Sequence, residues 1–573
     1  MPSKNEIIIR LAGEGGEGVI STGDIFTLGS ARSGYNVFTF RTYPAEIKGG
    51  HAWYHIRVGS SSIRSMGDGV DVLVAFNAEA YHIHHHLLNP GGVLIYDPDT
   101  VTPENSDAIQ YPIPFNRIAR KDLEFVRGKN VVVTGFLAGL FGLEPASLED
   151  LIRNRFKRRP EILDKNMKAL EAGVAYATKE ITKSDPFYLS ETNKVGRLVM
   201  SGNDAISAGA LYAGCRYYAG YPITPASEIL ETMARELPRL GGISLQAEDE
   251  IASIASCIGA SFSGVKAMTA TSGPGFSLMT EFMGYAGMAE IPLVLIDAQR
   301  AGPSTGMPTK LEQGDLNHSL YGGHGDFPRI VIAPGDVKDC FHQIVNAFNM
   351  AERYQTICVF LSDQSLSHRT ETLTKPDVST IPVIDREKPT DGDLEGYLRY
   401  LNTETGISPM SIPGMKGGAY TSAGLEHDEA GHVDKPLESH LMMVPKRYRK
   451  IETARREMEK PNRYGVNDAT IGLIGWGSTQ GVIEEAVDRV NANGIKAAAM
   501  HPKVLCPLPD EELQAFIDSV DYVLVPEVNY SGQFAHYLQA NLNVKPVRLN
   551  KYDGLPFTPG EIVAKIEEVA SHG

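Results

Sequence analysis

Cysteine is scarce in this chain, with five among 573 residues at Cys215, Cys257, Cys340, Cys358 and Cys506 and no C-x-x-C pair. Thiols scattered in this way support neither a disulfide framework nor an iron–sulfur cluster carried by the chain itself. They fit a reducing cytoplasm. Long apolar runs are missing too: no stretch approaches the ~20 residues of a membrane span. The opening MPSKNEIIIRLAGEGG has neither the apolar core nor the cleavage site of a secretory signal, so a cytoplasmic protein is expected. Positive charge is in deficit, with 54 Lys and Arg against 70 Asp and Glu and a formal net charge of -16. That balance argues against nucleic-acid binding, whose footprint is a basic face or stripe. Apolar residues are not short: at 42% hydrophobic and 22% charged the composition is that of a soluble globular protein. At a prior of ~150 residues per domain the length implies three or four domains.

The stretch from Tyr218 to Lys310 carries most of the chemistry, in three motifs. In YAGYPITPASE a short aromatic strand runs into Pro222, and Thr224 with Pro225 reads as the N-cap and first residue of a helix. Such a helix start, with free N–H groups and a hydroxyl, suits a carboxylate. In QAEDEIASIASCIGAS the apolar residues Ile251, Ile254, Ala255 and Ile258 recur at helical spacing. Glu250 falls on the side of Ile254, Cys257 and Ile258, whereas Asp249 falls with Ser253 and Ser256. Glu248 and Asp249 are accounted for by the helix dipole. A carboxyl on the apolar face is different, because burial disfavours its charged form and makes it a proton donor or acceptor. In the third motif a strand, Val265 to Thr271, ends in Ser272, Gly273, Pro274 and Gly275, where backbone can approach a ligand closely. The next strand, Pro292 to Ala298, ends in Gln299 and Arg300 before AGPSTG. A cation at the carboxyl end of a parallel strand lies where open α/β sheets bind ligands.

Together YPITPASE, EDEIASI with the GAS that follows it, TSGPGFSLM and QRAGPSTG resemble the alpha subunit of 2-oxoacid:ferredoxin oxidoreductases of the 2-oxoglutarate type. The resemblance implies that this region is the domain that holds the aminopyrimidine of thiamine diphosphate. By that match Glu250 would bond the ring and promote ylid formation, Thr224 and Arg300 would hold the 2-oxoacid carboxylate, and Ser272 and Gly273 would lie at the cofactor. A dicarboxylate needs a further cation, since an unpaired buried carboxylate carries a heavy desolvation penalty. Lys310, ten residues after Arg300 across a turn-rich loop, is the candidate.

Towards the amino terminus, a strand from Glu6 to Ala12 leads into GEGGEG, and Gly13, Gly15 and Gly18 satisfy G-x-G-x-x-G between strand and helix. The second strand ends in Phe40 and Arg41, not in the acid that would bond a ribose hydroxyl, so a dinucleotide reading loses its second leg. The strands Ala52 to Val58, Val70 to Phe76 and Gly92 to Tyr96 suggest a doubly wound α/β domain. GEGGEGV and PAEIKGG resemble the gamma component of the same oxidoreductases, fused upstream of alpha. Family members commonly carry an arginine where this chain has Lys48. The loop suits a diphosphate, and coenzyme A is one candidate occupant, with Arg41 or Lys48 meeting an additional phosphate; the alternative is a loop that only packs strand on helix. Gly67 to Gly69 spell GDG, the opening of a thiamine diphosphate and magnesium motif, but no Asn-rich second half follows, so a turn is expected there. The run His82 to His86 points in several directions along a helix and is expected to be surface histidine.

After Leu361 the pattern fades to about Met458, as in a structured linker with little core of its own. From Ala469 a βαβαβ order implies a parallel sheet resembling the carboxyl-terminal domain of transketolase-like enzymes. The expected organisation is α/β throughout, with several doubly wound parallel sheets: a gamma-type domain over 1–184, a pyrimidine-binding domain over 185–385, a linker over 386–466 and a transketolase-like domain over 467–573. The resemblance further implies a beta subunit bearing thiamine diphosphate, Mg2+ and an iron–sulfur cluster, an (alpha-beta)2 assembly, ferredoxin as electron partner, and coenzyme A and 2-oxoglutarate as substrates. The chain alone should be inactive. The rivals are a subunit acting on pyruvate or a broad range of 2-oxoacids, and an NAD(P)-dependent dehydrogenase using the GEGGEG loop.

Overall fold

The computed structural model of the chain describes residues 6–44, 49–104, 107–189, 192, 197–433 and 435–571. Two compact units are formed, one of Met1–Met200 with His368–Lys375, the other of Ser201–Ser367 with Pro376–Gly573.

The first unit is built on an eight-stranded sheet in the order Ile109–Pro112, Leu88–Tyr96, Val70–Ala75, Glu6–Glu14, His51–Gly59, Asn36–Thr42, Thr370–Leu373, Leu198–Ser201. Glu6–Glu14 and Val70–Ala75 are almost continuously apolar and buried, as strands covered on both faces must be. The four strands from Glu6–Glu14 to Ile109–Pro112 are parallel neighbours, whereas His51–Gly59 runs antiparallel to both of its own. Only eight residues separate Thr42 from His51, fewer than a parallel crossover needs, so the chain returns antiparallel. In the run His82 to His86, His84 departs from the surface expectation. It is buried, with its ring Nε2 2.7 Å from that of His51.

The second unit holds a seven-stranded sheet in the order Val504–Cys506, Arg329–Ile332, Ile357–Asp363, Leu293–Gln299, Ala267–Thr271, Tyr217–Gly220, Ile243–Gln246. All its pairings are parallel except that of the edge strand Val504–Cys506. The carboxyl ends of Tyr217–Gly220, Ala267–Thr271 and Leu293–Gln299 therefore share one edge, which is where an open α/β sheet places its ligand. A further five-stranded sheet, Arg463–Gly465, Ala497–Met500, Ile471–Ile474, Tyr522–Glu527, Val547–Asn550, is parallel apart from its first strand. One apolar core joins the two sheets, with Trp476, Phe534 and Leu538 in the same cluster as Phe276, Met279 and Leu295.

Within the stretch expected to be linker lies a 22-residue helix, Pro436–Glu457. Its sequence shows no apolar stripe because charge pairing anchors it. Lys446 Nζ lies 2.8 Å from Glu290 Oε1, Lys450 binds the same carboxylate, and all three side chains are buried.

Candidate functional site

The helix Glu250–Phe262 opens directly at the shared sheet edge, capped by Asp249, whose side chain accepts from Ala252 N at 2.7 Å. Glu250, Ser253, Ile254, Cys257, Ile258 and Ser261 form its buried face, the periodicity that placed Glu250 inward. Ile251 turns out to be 43% exposed, and Glu250 only 5%. The Glu250 carboxyl packs on the start of the next helix, Gly273–Met288. A Cβ at Gly275 would overlap Glu250 Oε1 and Thr271 Oγ1 and stand 2.6 Å from Glu250 Cγ. Ser272 is the N-cap of that helix, yet its hydroxyl makes no cap bond, and Oγ is buried without a hydrogen-bond partner.

Arg300 and Thr224 come together. Arg300 Nη1 donates to the Thr224 carbonyl at 2.8 Å, while Nε is buried and unpaired. The expected helix start at Thr224 and Pro225 is corrected: the helix runs Ser227–Glu236, with Ala226 as its N-cap residue. The reason is tertiary. The carbonyls of Thr224 and Pro225 are taken by Arg300 and by Asn203 Nδ2, the latter at 2.8 Å, so they cannot serve a first helical turn. After Arg300 the loop folds back: Ala301 N donates to the Lys310 carbonyl at 3.0 Å, and Met307 N to the Ala301 carbonyl at 2.9 Å. Lys310 is half-buried. Its stem packs on Gly554, and desolvation lowers its pKa against the opposing pull of Asp553.

Two functional candidates escaped the sequence reading. Asp297 lies in the strand Leu293–Gln299 and is 0% exposed, and Asp315 is half-buried with its Oδ2 enclosed, N-terminal to Leu316–Tyr321. The two side chains are close enough to act on one another. Burial, then the neighbouring Asp315, drives Asp297 well above the usual carboxylate range, against the pull of Arg300. Burial raises Asp315 to about 6. A Cβ at Gly273 would stand 3.0 Å from Asp315 Oδ2, so this carboxyl also lies at the helix start that Glu250 touches. The available signal was a lone acid in an otherwise apolar strand, IPLVLIDAQ.

In the first unit, Gly13, Gly15 and Gly18 form the turn from Glu6–Glu14 into the helix Val19–Arg32. Gly15 N donates to the Gly50 carbonyl at 2.8 Å, and a Cβ there would lie 2.7 Å from the Gly49 carbonyl oxygen, so close backbone approach excludes a side chain. A cavity of about 550 Å³ opens over the loop, lined among others by Gly15, Gly16, Gly18, Ser21 and Tyr43. The Glu17 carboxylate accepts from Glu14 N at 2.9 Å and pairs with Lys129 at 3.1 Å. Arg41 is not among the residues lining this cavity; it faces Asp24 at 3.7 Å. Lys48 lies outside the described residues.

Residues 208–446 match the family model described as pyruvate flavodoxin/ferredoxin oxidoreductase, thiamine diP-bdg. Residues 8–176 match pyruvate ferredoxin/flavodoxin oxidoreductase, and residues 469–562 match pyruvate:ferredoxin oxidoreductase core domain II. The 2-oxoglutarate oxidoreductase subunit KorA of Mycobacterium tuberculosis is 34% identical over 97% of this chain and 90% of its own length. 2-Oxoacid:ferredoxin oxidoreductase 1, subunit alpha, of Aeropyrum pernix is 31% identical over 100% and 98%. Among solved structures, 2-oxoglutarate:ferredoxin oxidoreductase from Magnetococcus marinus, with 2-oxoglutarate, coenzyme A and succinyl-CoA bound, superposes with a TM-score of 0.94 at 42% identity over 99% of each chain. The chain belongs to the family of 2-oxoacid:ferredoxin oxidoreductase alpha subunits.

Proposed function

We propose that this chain, with a gamma-type portion fused ahead of alpha, serves a 2-oxoglutarate:ferredoxin oxidoreductase. The reaction is oxidative decarboxylation of 2-oxoglutarate with coenzyme A to succinyl-CoA and carbon dioxide, the electron pair passing to ferredoxin, or the reductive carboxylation in reverse. The observation that carries this reading is the meeting of Glu250, Thr224 and Arg300 along one sheet edge, with a buried, unpaired Arg300 Nε left to donate. Support for the substrate comes from the full-length similarity to the Magnetococcus marinus enzyme.

The residues fit half of a thiamine diphosphate site. The chain supplies a buried carboxyl, Glu250, and an orphaned hydroxyl, Ser272 Oγ, at a helix start. When bound, the cofactor supplies the electron sink that decarboxylation needs. Glu250 would bond the aminopyrimidine ring and exchange a proton with it. Arg300 holds the α-carboxylate of the 2-oxoacid, with Thr224 beside it, and Lys310 takes the distal carboxylate. The Gly13–Gly18 loop receives the diphosphate of coenzyme A. The diphosphate of thiamine, its Mg2+ and the iron–sulfur cluster are assigned to a beta subunit in an (alpha-beta)2 assembly. Here the cysteines are scattered, and Gly67 to Gly69 form a turn into Val70–Ala75.

The test is co-expression with the beta subunit and measurement of 2-oxoglutarate- and coenzyme A-dependent reduction of ferredoxin, with succinyl-CoA identified by mass spectrometry. A purified single chain that makes NADH from a small substrate would overturn the proposal.

A further inference from the structure

Arg300 is not alone with its substrate. Asp297 and Asp315 lie close enough to act on one another and on Arg300, and neither oxygen of Asp297, nor Oδ2 of Asp315, finds an N–H or O–H donor among the described residues. Two neighbouring carboxylates with enclosed, unpaired oxygens cannot both ionise at ordinary cost. One proton between them makes one carboxyl a donor to the other and removes the unsatisfied acceptor. The surroundings define the electrostatics. Arg300 stands at the end of the strand that carries Asp297, and Glu312 acts on Asp315 from the loop. Gln299 Oε1 accepts from Asp315 N at 3.1 Å and fixes the turn. The start of the helix Gly273–Met288 lies against the Asp315 carboxyl.

We propose that Asp297 and Asp315 act as a one-proton pair whose single negative charge positions Arg300 and balances its guanidinium, so that loss of the shared proton to solvent weakens capture of the 2-oxoacid anion. This rests on the function proposed above, since Arg300 is there the carboxylate ligand. With the proton shared, the pair and Arg300 sum to zero, and the helix start tips the site toward an anion. With the proton gone, the pair outweighs Arg300 and the site repels its substrate. Both aspartates are positioning residues, because they act through Arg300.

Two measurements on the assembled complex test this. Isotope-edited infrared spectroscopy of aspartate-labelled protein should show a protonated carboxyl stretch near neutral pH that disappears in Asp297→Asn. An unprotonated pair in the wild-type complex would overturn the proposal. This readout needs no turnover, so it stands even if the complex proves inactive on 2-oxoglutarate, a result that would sink the functional reading instead. Secondly, KM for the 2-oxoacid should climb with pH in the wild type, by roughly tenfold per pH unit once the proton is lost. In Asp297→Asn the amide stands in for the protonated carboxyl, and KM should stay flat while kcat keeps its own profile. Asp315→Asn provides the second variant should the first not fold. A wild-type KM profile retained in a folded variant would overturn the proposal.

Discussion

Gly275→Ala adds one methyl group, and its place in the fold makes that methyl informative. The new carbon would overlap Glu250 Oε1 and Thr271 Oγ1. Thr271 sits on a strand buried along its whole length, so the start of the helix Gly273–Met288 must shift away from it and the Glu250 side chain must be displaced with it. Overpacking of this kind typically costs ~1–3 kcal/mol of stability. The catalytic cost should be larger, because misplacing a reacting group by about 1 Å is worth on the order of 10² in rate. Glu250→Gln, which keeps the shape but cannot exchange a proton with the ring, should by itself lower turnover by about 10² or more while assembly survives. If Gly275 acts only by seating Glu250, adding Gly275→Ala to Glu250→Gln should cost little further rate. The assay is a double-mutant cycle on kcat in the reconstituted complex, with thermal unfolding as the check on folding. Strictly multiplicative losses would refute the reasoning, since the two residues would then act independently.

Glu290→Gln should destabilise the second unit by ~3–5 kcal/mol in thermal unfolding, because it leaves Lys446 and Lys450 buried without their counter-charge. The same site sets an acid limit. Burial opposes the Glu290 charge, but Lys446, Lys450 and Arg399 hold the carboxyl below its ordinary 4.5, so its stabilisation is complete above that value and drains away as pH falls below it. A midpoint that does not fall with acid between pH 5 and pH 3, in a titration of the folded chain, would contradict this. Ser21→Glu puts a negative charge into the cavity over the Gly13–Gly18 loop and should raise KM for coenzyme A roughly tenfold without moving that for 2-oxoglutarate. An unchanged coenzyme A KM would place that substrate elsewhere. Lys310→Met should raise KM for 2-oxoglutarate by about 10-fold or more, and far less for pyruvate or 2-oxobutyrate, because only the dicarboxylate has a tail to pair. Equal losses on both substrate classes would assign the distal carboxylate to the partner subunit.

What the sequence made legible was local. The inward side of Glu250 followed from 3.6-residue periodicity, and the edge position of Arg300 from its place at the end of an apolar strand. The parallel order of the carboxyl-terminal sheet followed from alternating strand and helix. What escaped depended on partners far along the chain. The Thr224 carbonyl is taken by a guanidinium 76 residues away, so capping rules that consider only neighbours placed the helix start too early. Pro436–Glu457 shows no apolar stripe because a carboxylate 156 residues distant anchors it.

The proposed aspartate pair would explain how an arginine so enclosed can remain useful to an anion. Arg300 is only 7% exposed, and removing a cation from water is expensive unless a counter-charge accompanies it. A single ionised carboxylate pressed against it would offset that cost but would also occupy the guanidinium donors. Here the compensating charge is spread over two carboxyls, and none of the described hydrogen bonds runs from Arg300 to either of them: the one it makes goes to the Thr224 carbonyl. Nε is left buried and without a partner. On the proposal, the negative charge keeps the cation in place without bonding it, and Nε is left to donate to a carboxylate. Replacing Arg300 by Lys keeps the charge but loses the planar fork. On the proposed function, it is therefore the geometry of the donors, beside a counter-charge that does not bond them, that would fit this edge of the sheet to a 2-oxoacid.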